Sequence, residues 1–583
     1  MPHDKLCPAC NLARCVGHGF GLQDLLLALG AGTIFLRSFC QMMGQRPRHG
    51  NRSAIEVVAL VAIWVAWRMR RALPRGVPFA DGPWFLRNVL DFARAASQKK
   101  QLARAVELHE KFGSTFVIGF PLTPWIVTTT NPAIVNHILK TNFQNYPKGP
   151  WMSGNLVELL GQGIFNTDGQ NWLHQRKTAS KMFTATLFRE HIWVVVRRNA
   201  RKLRDILESS AADPEGTVDV FNLMNRFTLD TIGEIGFGKC IGSLENPSSP
   251  FLRSFDRAQQ IAFQRFYIPI WPLLRRLGLG PERDTREHFH RLDEYSRTVV
   301  QELRSSLTRS SAKVDGVAWA DIEGRKSFLG LFLEDAGKHG EDLSEDFLRD
   351  LVLNFLIAGR DTTAQAISWA VYCLSTHPEV QAKARQEVNE VCGIRGPSYD
   401  DLQSLPYLQA VLNEVLRLYP SVPFDLKTAA QSDTWPDGTF VPKGTIVAYD
   451  IYAMGQDFSI WGDDAKVFRP ERWLEMKEPP DSYSYPVFNA GPRECLGKRL
   501  ALVEMKACLA TLLPHLSFKL AVPAEEVKPD ASITIGMGSG LPCYVVRIAE
   551  KQDASSGASA TTQSECATTL SEITRDTSDI EEA

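Results

Sequence analysis

The sequence predicts a mainly α-helical protein with a smaller β region. Helical periodicity of apolar residues dominates residues 131–392, whereas residues 115–130 and 438–454 alternate in polarity or are rich in β-branched residues, as strands are. The 583-residue chain is 44% apolar and 22% charged, which fits a globular protein with a large core. Its net charge of −1 and the lack of a basic aromatic stripe argue against a nucleic-acid-binding protein.

The first 52 residues are predicted to be a leader outside the folded body. The segment "CPACNLARCVGH" brings together Cys7, Cys10, Cys15 and His18, which are the ligand types and number of a tetrahedral zinc site. No aromatic or turn framework surrounds them, and thiols beside a membrane segment can also be acylated or idle. A disordered leader is therefore the preferred interpretation. A possible first apolar segment, residues 22–36, is interrupted by an aspartate and glycines.

Residues 53–73 are predicted to form a membrane anchor with a basic stop. The run "VVALVAIWVAW" and the residues before it give about fifteen residues, fewer than the roughly 20 that span a bilayer comfortably. The cluster "RMRR" that follows would hold the rest of the chain on the cytoplasmic side. The alternative is a buried core helix, and a removable signal peptide fits worse because no small-residue cleavage site follows. Prolines and glycines at residues 74–83 then predict a stiff hinge.

The folded body is predicted to span residues 84–548. The two strand-like regions flank the helical part, one long helix is predicted from the cap Ser344 to about Ser375, and a last helix follows Cys495. The tail at residues 549–583 is rich in Ser, Thr and acidic residues and lacks aromatic residues, so it is predicted to be disordered. An odd number of irregularly spaced cysteines favours a reduced, cytosol-facing protein over a disulfide framework.

The stretch "FNAGPRECLG" places Cys495 between Gly491 and Gly497, with Arg493 two residues before it. The glycines permit a tight backbone whose amides can point at the sulfur, and a helix that starts near Leu496 would favour a thiolate. Such a thiolate can serve as a metal ligand, and the arginine fork suits a carboxylate. One thiolate, one carboxylate partner and an apolar helix suggest a haem, although a cysteine between glycines is by itself more often an ordinary turn.

The segment "AGRDTT", residues 358–363, lies in the middle of the predicted long helix. Its glycine costs about 1 kcal/mol of helix propensity relative to alanine, and such a local violation is expected at a functional site. The Thr362 hydroxyl can bond back to a carbonyl and open the helix ladder for a small ligand, and Asp361 can relay protons. The alternative is a helix kink whose polar residues face solvent.

Two further patterns contribute polar side chains. Glu414 and Arg417 of "EVLR" are one helical turn apart, and Arg472 of "RPERW" can join them in a buried, structural ionic cluster. If the pair is exposed instead, it adds little to stability. In "WLHQRK", Trp172 and Arg176 lie four residues apart on one helix face and can grip the anionic edge of a cofactor.

In this order and at these separations, the motifs resemble the cytochrome P-450 superfamily of haem-thiolate monooxygenases over about residues 75–548. The resemblance implies the family's α-rich prism with a long central helix, and a haem b cofactor whose iron takes Cys495 as its axial thiolate. It also implies that Asp361 and Thr362 serve oxygen activation and proton delivery. The other residues that it assigns to the haem are Trp172, Arg176, Lys427, Phe488, Gly491 and Arg493.

The chain departs from the family pattern at Lys427, in "PFDLKTA", where the family usually has arginine. A lysine can meet a haem propionate as a point charge but lacks the bidentate fork of arginine, so its role stays open. No flavin or nicotinamide fingerprint occurs in the chain, and a separate NADPH-dependent flavoprotein reductase is therefore expected to supply the electrons.

Arg360 in "AGRDTT", with "GIFNTDGQNWLHQRK" and "AMGQDFSIWGDDAKVFRPERW", resembles the fatty-acid and alkane ω-hydroxylases of fungi and plants. The expected substrates are O₂ and a lipophilic molecule that arrives through the bilayer, a long-chain fatty acid, with a sterol or terpenoid as the alternative. A haem sensor or isomerase without oxygen activation is the alternative of another class, which the retained Asp361 and Thr362 disfavour. The resemblance also implies anchoring in the endoplasmic reticulum membrane with the catalytic domain facing the cytosol.

Overall fold

The computed structural model describes most of the predicted body. The described residues are 73–80, 86–120, 123–213, 215–247, 249–311, 327–339, 343–393 and 395–548. The predicted leader with its cluster of three cysteines and a histidine, the predicted anchor up to residue 72, and the predicted tail lie outside these ranges. Within the described ranges, no helix is both long enough and apolar enough to cross a membrane.

Helices dominate the described body, which confirms the predicted mainly α fold. In chain order, the α-helices are α1 Leu86–Ser97, α2 Gln101–Phe112, α3 Pro132–Asn136, α4 Gly149–Leu160, α5 Gly169–Ser180, α6 Ala185–Leu187, α7 Trp193–Ser210, α8 Val220–Phe237, α9 Pro250–Gln264, α10 Trp271–Leu277, α11 Thr285–Ser311, α12 Phe328–His339, α13 Glu345–Thr376, α14 Pro378–Cys392, α15 Pro406–Leu418, α16 Ile451–Met454, α17 Phe458–Trp461, α18 Arg472–Glu475 and α19 Lys498–Leu512.

Among the residues that the structure describes, the smaller β region consists of short strands in four sheets. The strands are β1 Thr115–Ile118, β2 Ile126–Thr129, β3 Val218–Asp219, β4 Asp425–Thr428, β5 Asp433–Thr434, β6 Phe440–Val441, β7 Ile446–Tyr449, β8 Leu516–Leu520, β9 Pro529–Ala531, β10 Ile535–Met537 and β11 Pro542–Arg547. The largest sheet has the order β1-β2-β7-β4, in which only the β2–β7 pair is parallel. The predicted strand-like regions are thus confirmed as β1, β2, β6 and β7.

Strands also follow α19, where the sequence pattern predicts no further element. Strand β11 pairs antiparallel with β8 and, on its other side, with the two-residue strand β3. Strands β9 and β10 form a separate antiparallel pair. These strands are short and one of their partners lies some 300 residues earlier in the chain, so the long-range pairing that defines them leaves a weak local signal.

The long helix α13 crosses the body and packs against α8, α15, α19 and strand β8. The Ser344 hydroxyl accepts a hydrogen bond from the Phe347 N–H (3.2 Å), as an N-cap does, and the helix ends before His377 and a proline. A Cβ on Gly359 would overlap the side chain of Ile232 on α8. The glycine that is unfavourable for the helix therefore permits the two helices to approach closely.

The described residues of the predicted hinge are attached to the body. Arg75 forms an antiparallel bridge with Phe440, through backbone hydrogen bonds of 3.1 and 2.9 Å. The Ala80 N–H donates to the Val117 carbonyl (3.0 Å), and the Val117 N–H donates to the Pro78 carbonyl (2.9 Å). The segment is thus bonded to the edges of two sheets, and between these two contacts the chain bends at Gly76, whose φ is +81°.

Candidate active site

A cavity of about 370 Å³ lies between α13 and the turn that precedes α19. Its walls are mostly apolar side chains, as in sites for lipophilic ligands. Asp361 and Gly491, both singled out from the sequence, are not among its lining residues. The predicted residues that do line it come from four separate parts of the chain and are Trp172, Arg176, Thr362, Lys427, Phe488, Arg493 and Cys495.

A tight turn holds Cys495 at the cavity wall, after the 3₁₀-helix Gly491–Arg493. The Cys495 N–H donates to the Phe488 carbonyl (2.8 Å), which closes the turn. Gly491 has a φ of +61°, and a Cβ on it would overlap the Leu139 carbonyl. Glycine is therefore required there by conformation and by space, and it shapes the turn without contributing to the lining.

Cys495 also lies at the N-terminus of α19, which starts at Lys498, two residues later than the Leu496 start that the sequence predicts. Burial raises the pKa of the Cys495 thiol, whereas the backbone N–H groups of Gly497 and Lys498 and the charge of Arg176 act in the opposite direction. Backbone donors and the positive end of a helix favour a thiolate, and they would moderate the electron density of a metal-bound sulfur.

Arg493 and Trp172 form a stacked pair beside this turn. The guanidinium carbon of Arg493 lies 4.0 Å from the centre of the Trp172 ring, and that of Arg176 lies 5.8 Å from it. Arg493 Nη2 donates to Asp168 Oδ1 (2.5 Å) and to the Thr167 carbonyl (3.1 Å). Trp172 and Arg176 of α5 thus lie near Arg493 of the cysteine turn, at one end of the cavity.

Lys427 on β4 is buried, and its Nζ donates to Asp425 Oδ2 (2.5 Å). The same oxygen accepts hydrogen bonds from Tyr449 Oη (2.6 Å) and Asn489 Nδ2 (3.1 Å). Burial acts to raise the pKa of Asp425, but the charges of Lys427 and Lys148 outweigh it and hold that pKa well below its usual range. Asp425 is therefore an anion that engages Lys427 closely.

Lys148, directly before α4, is a cavity-lining cation that pattern reasoning did not find. It is 8% exposed. Burial lowers the pKa of its amine to about 7, Asp425 acts to raise it, and Lys427 and Arg493 act to lower it further. The sequence offers only a lone lysine in "NYPKGPW", and isolated lysines usually face solvent, so no spacing or motif could have identified it.

The residues around this end of the cavity fit a haem. A cysteine stands on the wall, apolar side chains can enclose a macrocycle, and four basic side chains could hold its propionates. The cations of this group are Lys148, Arg176, Lys427 and Arg493, and its carboxylates are Asp168, Asp425 and Glu494.

Thr362 lines the cavity at the middle of α13. Its Oγ1 donates to the Ala358 carbonyl (2.7 Å), which is the predicted back-bond, and its own carbonyl accepts from Ser421 Oγ (2.7 Å). Helix α13 nevertheless continues through this position without interruption, so the predicted opening of the ladder is not seen. A carbonyl has two lone pairs and can accept from a hydroxyl without giving up its helical partner.

Asp361 is buried behind the cavity wall in an ion pair. Arg360 Nη1 donates to Asp361 Oδ1 (2.9 Å) and to Asp256 Oδ1 on α9 (2.6 Å). The Asp256 side chain is 53% exposed, so the three residues connect the buried acid to the surface. Burial raises the pKa of Asp361 to about 6, and the charge of Arg360 acts to lower it. The sequence indicated the acid but not this pairing, because Asp256 belongs to another helix.

Glu414, Arg417 and Arg472 meet away from the cavity lining, in the folded body. Arg417 Nε and Nη2 donate to the two oxygens of Glu414 (2.9 and 2.7 Å), and Arg472 Nε donates to Glu414 Oε1 (2.9 Å). The side chains of Glu414 and Arg417 are fully buried. Arg417 also donates to backbone carbonyls of residues 455–467, so the cluster ties α15 to the segment that leads to α18.

Comparison with known proteins agrees with this geometry. A family model described as Cytochrome P450 matches residues 77–541. Similar proteins include Cytochrome P450 CYP94D108 of Paris polyphylla (35% identical, covering 73% of this chain and 84% of that protein) and Cytochrome P450 86B1 of Arabidopsis thaliana (35%, 72% and 77%). Cytochrome P450 94A1 of Vicia sativa is 37% identical and covers 74% and 84%. The chain belongs to the cytochrome P450 family of haem-thiolate monooxygenases.

Proposed function

We propose that the lipophilic substrate of this monooxygenase is a long-chain fatty acid, which it hydroxylates with one oxygen atom of O₂. The observation that carries the proposal is the mostly apolar lining of the cavity, which suits an alkyl chain. The sequence resemblance to fatty-acid and alkane ω-hydroxylases supports the same class. The side chains in question include Met152, Leu156, Phe263, Phe266 and Phe424.

The proposed roles of the polar residues follow from their positions. Haem bound through the Cys495 thiolate supplies oxygen activation, because thiolate donation favours O–O cleavage. We assign proton delivery to Thr362, which lines the cavity, and to Asp361, which is buried beside it and whose pKa burial raises to about 6. Arg493 and the α5 residues Trp172 and Arg176 hold the haem carboxylates, since guanidinium groups suit carboxylate oxygens.

The remaining haem assignments from the sequence are Phe488, Gly491 and Lys427. Phe488 lines the cavity and accepts the hydrogen bond that closes the cysteine turn, and Gly491 gives that turn its shape. Lys427 lies at the same end of the cavity, but its ammonium group is already engaged by Asp425.

The partner and the location belong to the same proposal. A separate NADPH-dependent flavoprotein reductase supplies the electrons, because the sequence has no flavin or nicotinamide fingerprint. The apolar run and basic stop before residue 74 support an enzyme tethered to the endoplasmic reticulum membrane with its catalytic domain facing the cytosol. A lipophilic substrate would then reach the cavity from the bilayer.

Turnover with a panel of substrates tests the proposal. Purified protein, an NADPH-dependent reductase and fatty acids of several chain lengths should give hydroxylated acids, with an optimum length set by the cavity. The matched comparison uses a sterol and a terpenoid alcohol at equal concentration. Oxidation of the sterol or terpenoid in preference to every acid would replace the fatty-acid substrate. A haem spectrum without NADPH-dependent product from any compound would favour a sensor or an isomerase.

A further inference from the structure

A buried ionic cluster joins α4 to the chain that follows α9. Arg265, directly after α9, has a side chain that is 1% exposed. Its Nε and Nη2 donate to the two oxygens of Glu282 (2.8 and 3.0 Å), and its Nη2 also donates to Glu158 Oε2 on α4 (2.5 Å). Arg275 on α10 donates to the other oxygen of Glu158 (2.7 Å). These four residues, which we call the Arg265 cluster, pair two guanidinium groups with two carboxylates.

Two side chains beside the Arg265 cluster add further ties. The guanidinium carbon of Arg265 lies 4.2 Å from the centre of the Trp271 ring, within the range of a cation–π contact. The Trp271 indole N–H in turn donates to Asn155 Oδ1 on α4 (2.9 Å). At the start of α11, Thr285 Oγ1 donates to Glu282 Oε2 (3.0 Å). The chain after α9 is therefore held to α4 by an ion pair and by a separate hydrogen bond.

The Arg265 cluster stands directly behind the apolar wall of the cavity. In the chain, Arg265 lies between Phe263 and Phe266, which both line the cavity, whereas Arg265 is not among the lining residues. Helix α4 contributes Leu156 to the same lining, and its Trp151 meets the Phe266 ring edge-on at 5.2 Å. The cluster thus joins two segments that both supply apolar wall, and a change in their spacing would change the room between them.

We propose that Arg265 is a positioning residue for substrate selectivity, which through Glu158 and Glu282 fixes the room that the apolar lining leaves for an alkyl chain. A guanidinium fork bonded to carboxylates is directional, so it sets the spacing of two segments more sharply than apolar contacts do. The buried cluster around Arg417 lies away from the lining and has no such role. The inference applies to any ligand with an alkyl chain and does not depend on the proposed fatty-acid substrate.

The expected effect follows from how apolar pockets discriminate by size. A well-fitted apolar pocket separates ligands that differ by one methylene by about tenfold or more. That separation requires walls that do not yield, because a wall that moves outward accepts the longer ligand at little cost. Loss of the tie between Arg265 and α4 should therefore weaken discrimination against longer chains.

Binding of N-alkylimidazoles of increasing chain length to the haem-loaded protein tests the proposal. The imidazole binds the haem iron, which shifts the Soret band, and the alkyl chain probes the apolar lining. The measured quantity is the ratio of the dissociation constant of the next longer chain to that of the best-binding chain. Glu158→Gln cuts the tie at a side chain that is 32% exposed, and it should lower this ratio at least about threefold. A purely structural role would lower the unfolding temperature but leave the ratio unchanged.

The matched control is Asp284→Asn, which makes the same change from carboxylate to amide at another tie of α9. Asp284 is 38% exposed and accepts from Arg257 Nε and Nη2 (both 3.1 Å), but this pair does not reach α4. Asp284→Asn should keep the ratio of the unmodified protein. Equal ratios for Glu158→Gln and Asp284→Asn would overturn the proposal, because selectivity would then not depend on the Arg265 cluster.

The double variant Arg265→Met/Glu282→Gln removes the centre of the cluster as a unit, which avoids stranding a buried charge. It should lower the ratio at least as much as Glu158→Gln. A folded, haem-loaded double variant with an unchanged ratio would overturn the proposal. If this variant is recovered without haem, the comparison of Glu158→Gln with Asp284→Asn decides alone. Because the probes carry no carboxylate, failure of every fatty acid to turn over would remove the proposed substrate and leave this result unaffected.

Discussion

The turn around Cys495 positions this residue to serve as a metal ligand. The Phe488 carbonyl closes the turn, and the N–H groups at the start of α19 oppose the effect of burial on the thiol pKa. Cys495→Ser preserves the size of the side chain and removes the thiolate, so this variant should retain little haem and lose the thiolate band of the reduced, carbon monoxide-treated protein. The control is Cys240→Ser, a change at an exposed cysteine, and this variant should keep that band. A normal spectrum for Cys495→Ser would move the axial ligand to another residue.

Thr362 presents a hydroxyl at the cavity wall while bonding back to Ala358. If that hydroxyl orders proton delivery, Thr362→Ala should consume NADPH at a similar rate but form several-fold less product and more hydrogen peroxide. Thr362→Ser keeps the hydroxyl and should remain coupled. The measurement is the ratio of product and of peroxide to NADPH consumed. Unchanged coupling in the alanine variant would show that the hydroxyl serves only the helix.

At the residue scale, sequence reasoning reached the groups that belong to motifs and missed those that only the fold brings together. Cys495 and Arg493 share a ten-residue stretch, and the fold places both at the cavity. Lys148 has no motif, because its proximity to Asp425 exists only in three dimensions. Asp361 was indicated by its neighbours in the chain, but the pairing of its partner Arg360 with Asp256 of α9 exists only in the fold.

The close approach of α13 and α8 depends on Gly359, which has no side chain to meet Ile232. Alanine at position 359 would improve helix propensity by about 1 kcal/mol, yet its Cβ would overlap Ile232, and overpacking usually costs about 1–3 kcal/mol. We therefore expect Gly359→Ala to lower the stability of the haem-loaded protein by about 1 kcal/mol, measured by thermal unfolding. Adding Ile232→Ala should make the pair more stable than the sum of the single effects. A Gly359→Ala protein that melts above the unmodified one would contradict the packing argument.

The ionic cluster on α15 should be structural. Arg417→Ala would strand the fully buried Glu414 and free the backbone carbonyls that the guanidinium bonds, which costs about 3–5 kcal/mol. We expect a low yield of folded, haem-loaded protein and a much lower unfolding temperature. Arg291→Ala removes an exposed ion pair with Glu287 and is the control, with an expected change below about 1 kcal/mol. Equal stability of the two variants would show that the buried cluster is dispensable.

At the element scale, the success of prediction follows the strength of local signals. The limits of α13 follow from the Ser344 cap and from the His-Pro pair after it, and both are local chemistry. Strand β11 pairs with β8 and with β3, and β3 lies far earlier in the chain. The sequence close to β11 therefore carries little information about this pairing. The continuity of α13 through Thr362 was also beyond pattern reasoning, since it depends on one carbonyl oxygen accepting from both a backbone N–H and a hydroxyl.

The whole molecule assembles one site from dispersed segments around a single long helix. The elements that carry the cavity-lining cations are α5, the turn before α4, strand β4 and the turn before α19, and each is held by contacts of its own. The cysteine and these cations thus lie at one end of a mostly apolar space. This arrangement suits a haem, for which Cys495 would supply the thiolate ligand and the basic side chains would hold the carboxylates.

The junction between the folded body and the segment before it gives the last prediction. The bridge between Arg75 and Phe440 marks where the chain joins the sheets, so a deletion of residues 1–71 should spare the fold. That deletion removes the apolar run and the basic stop, and we expect the shortened protein to keep its haem and to move from the membrane to the supernatant on fractionation. Deleting residues 1–18 is the control: it removes the cysteine cluster, and haem content, turnover and membrane binding should persist. A longer deletion that still sediments with membranes would place the attachment within the folded body. Stoichiometric zinc in the full-length protein, lost on Cys7→Ser, would contradict the leader interpretation.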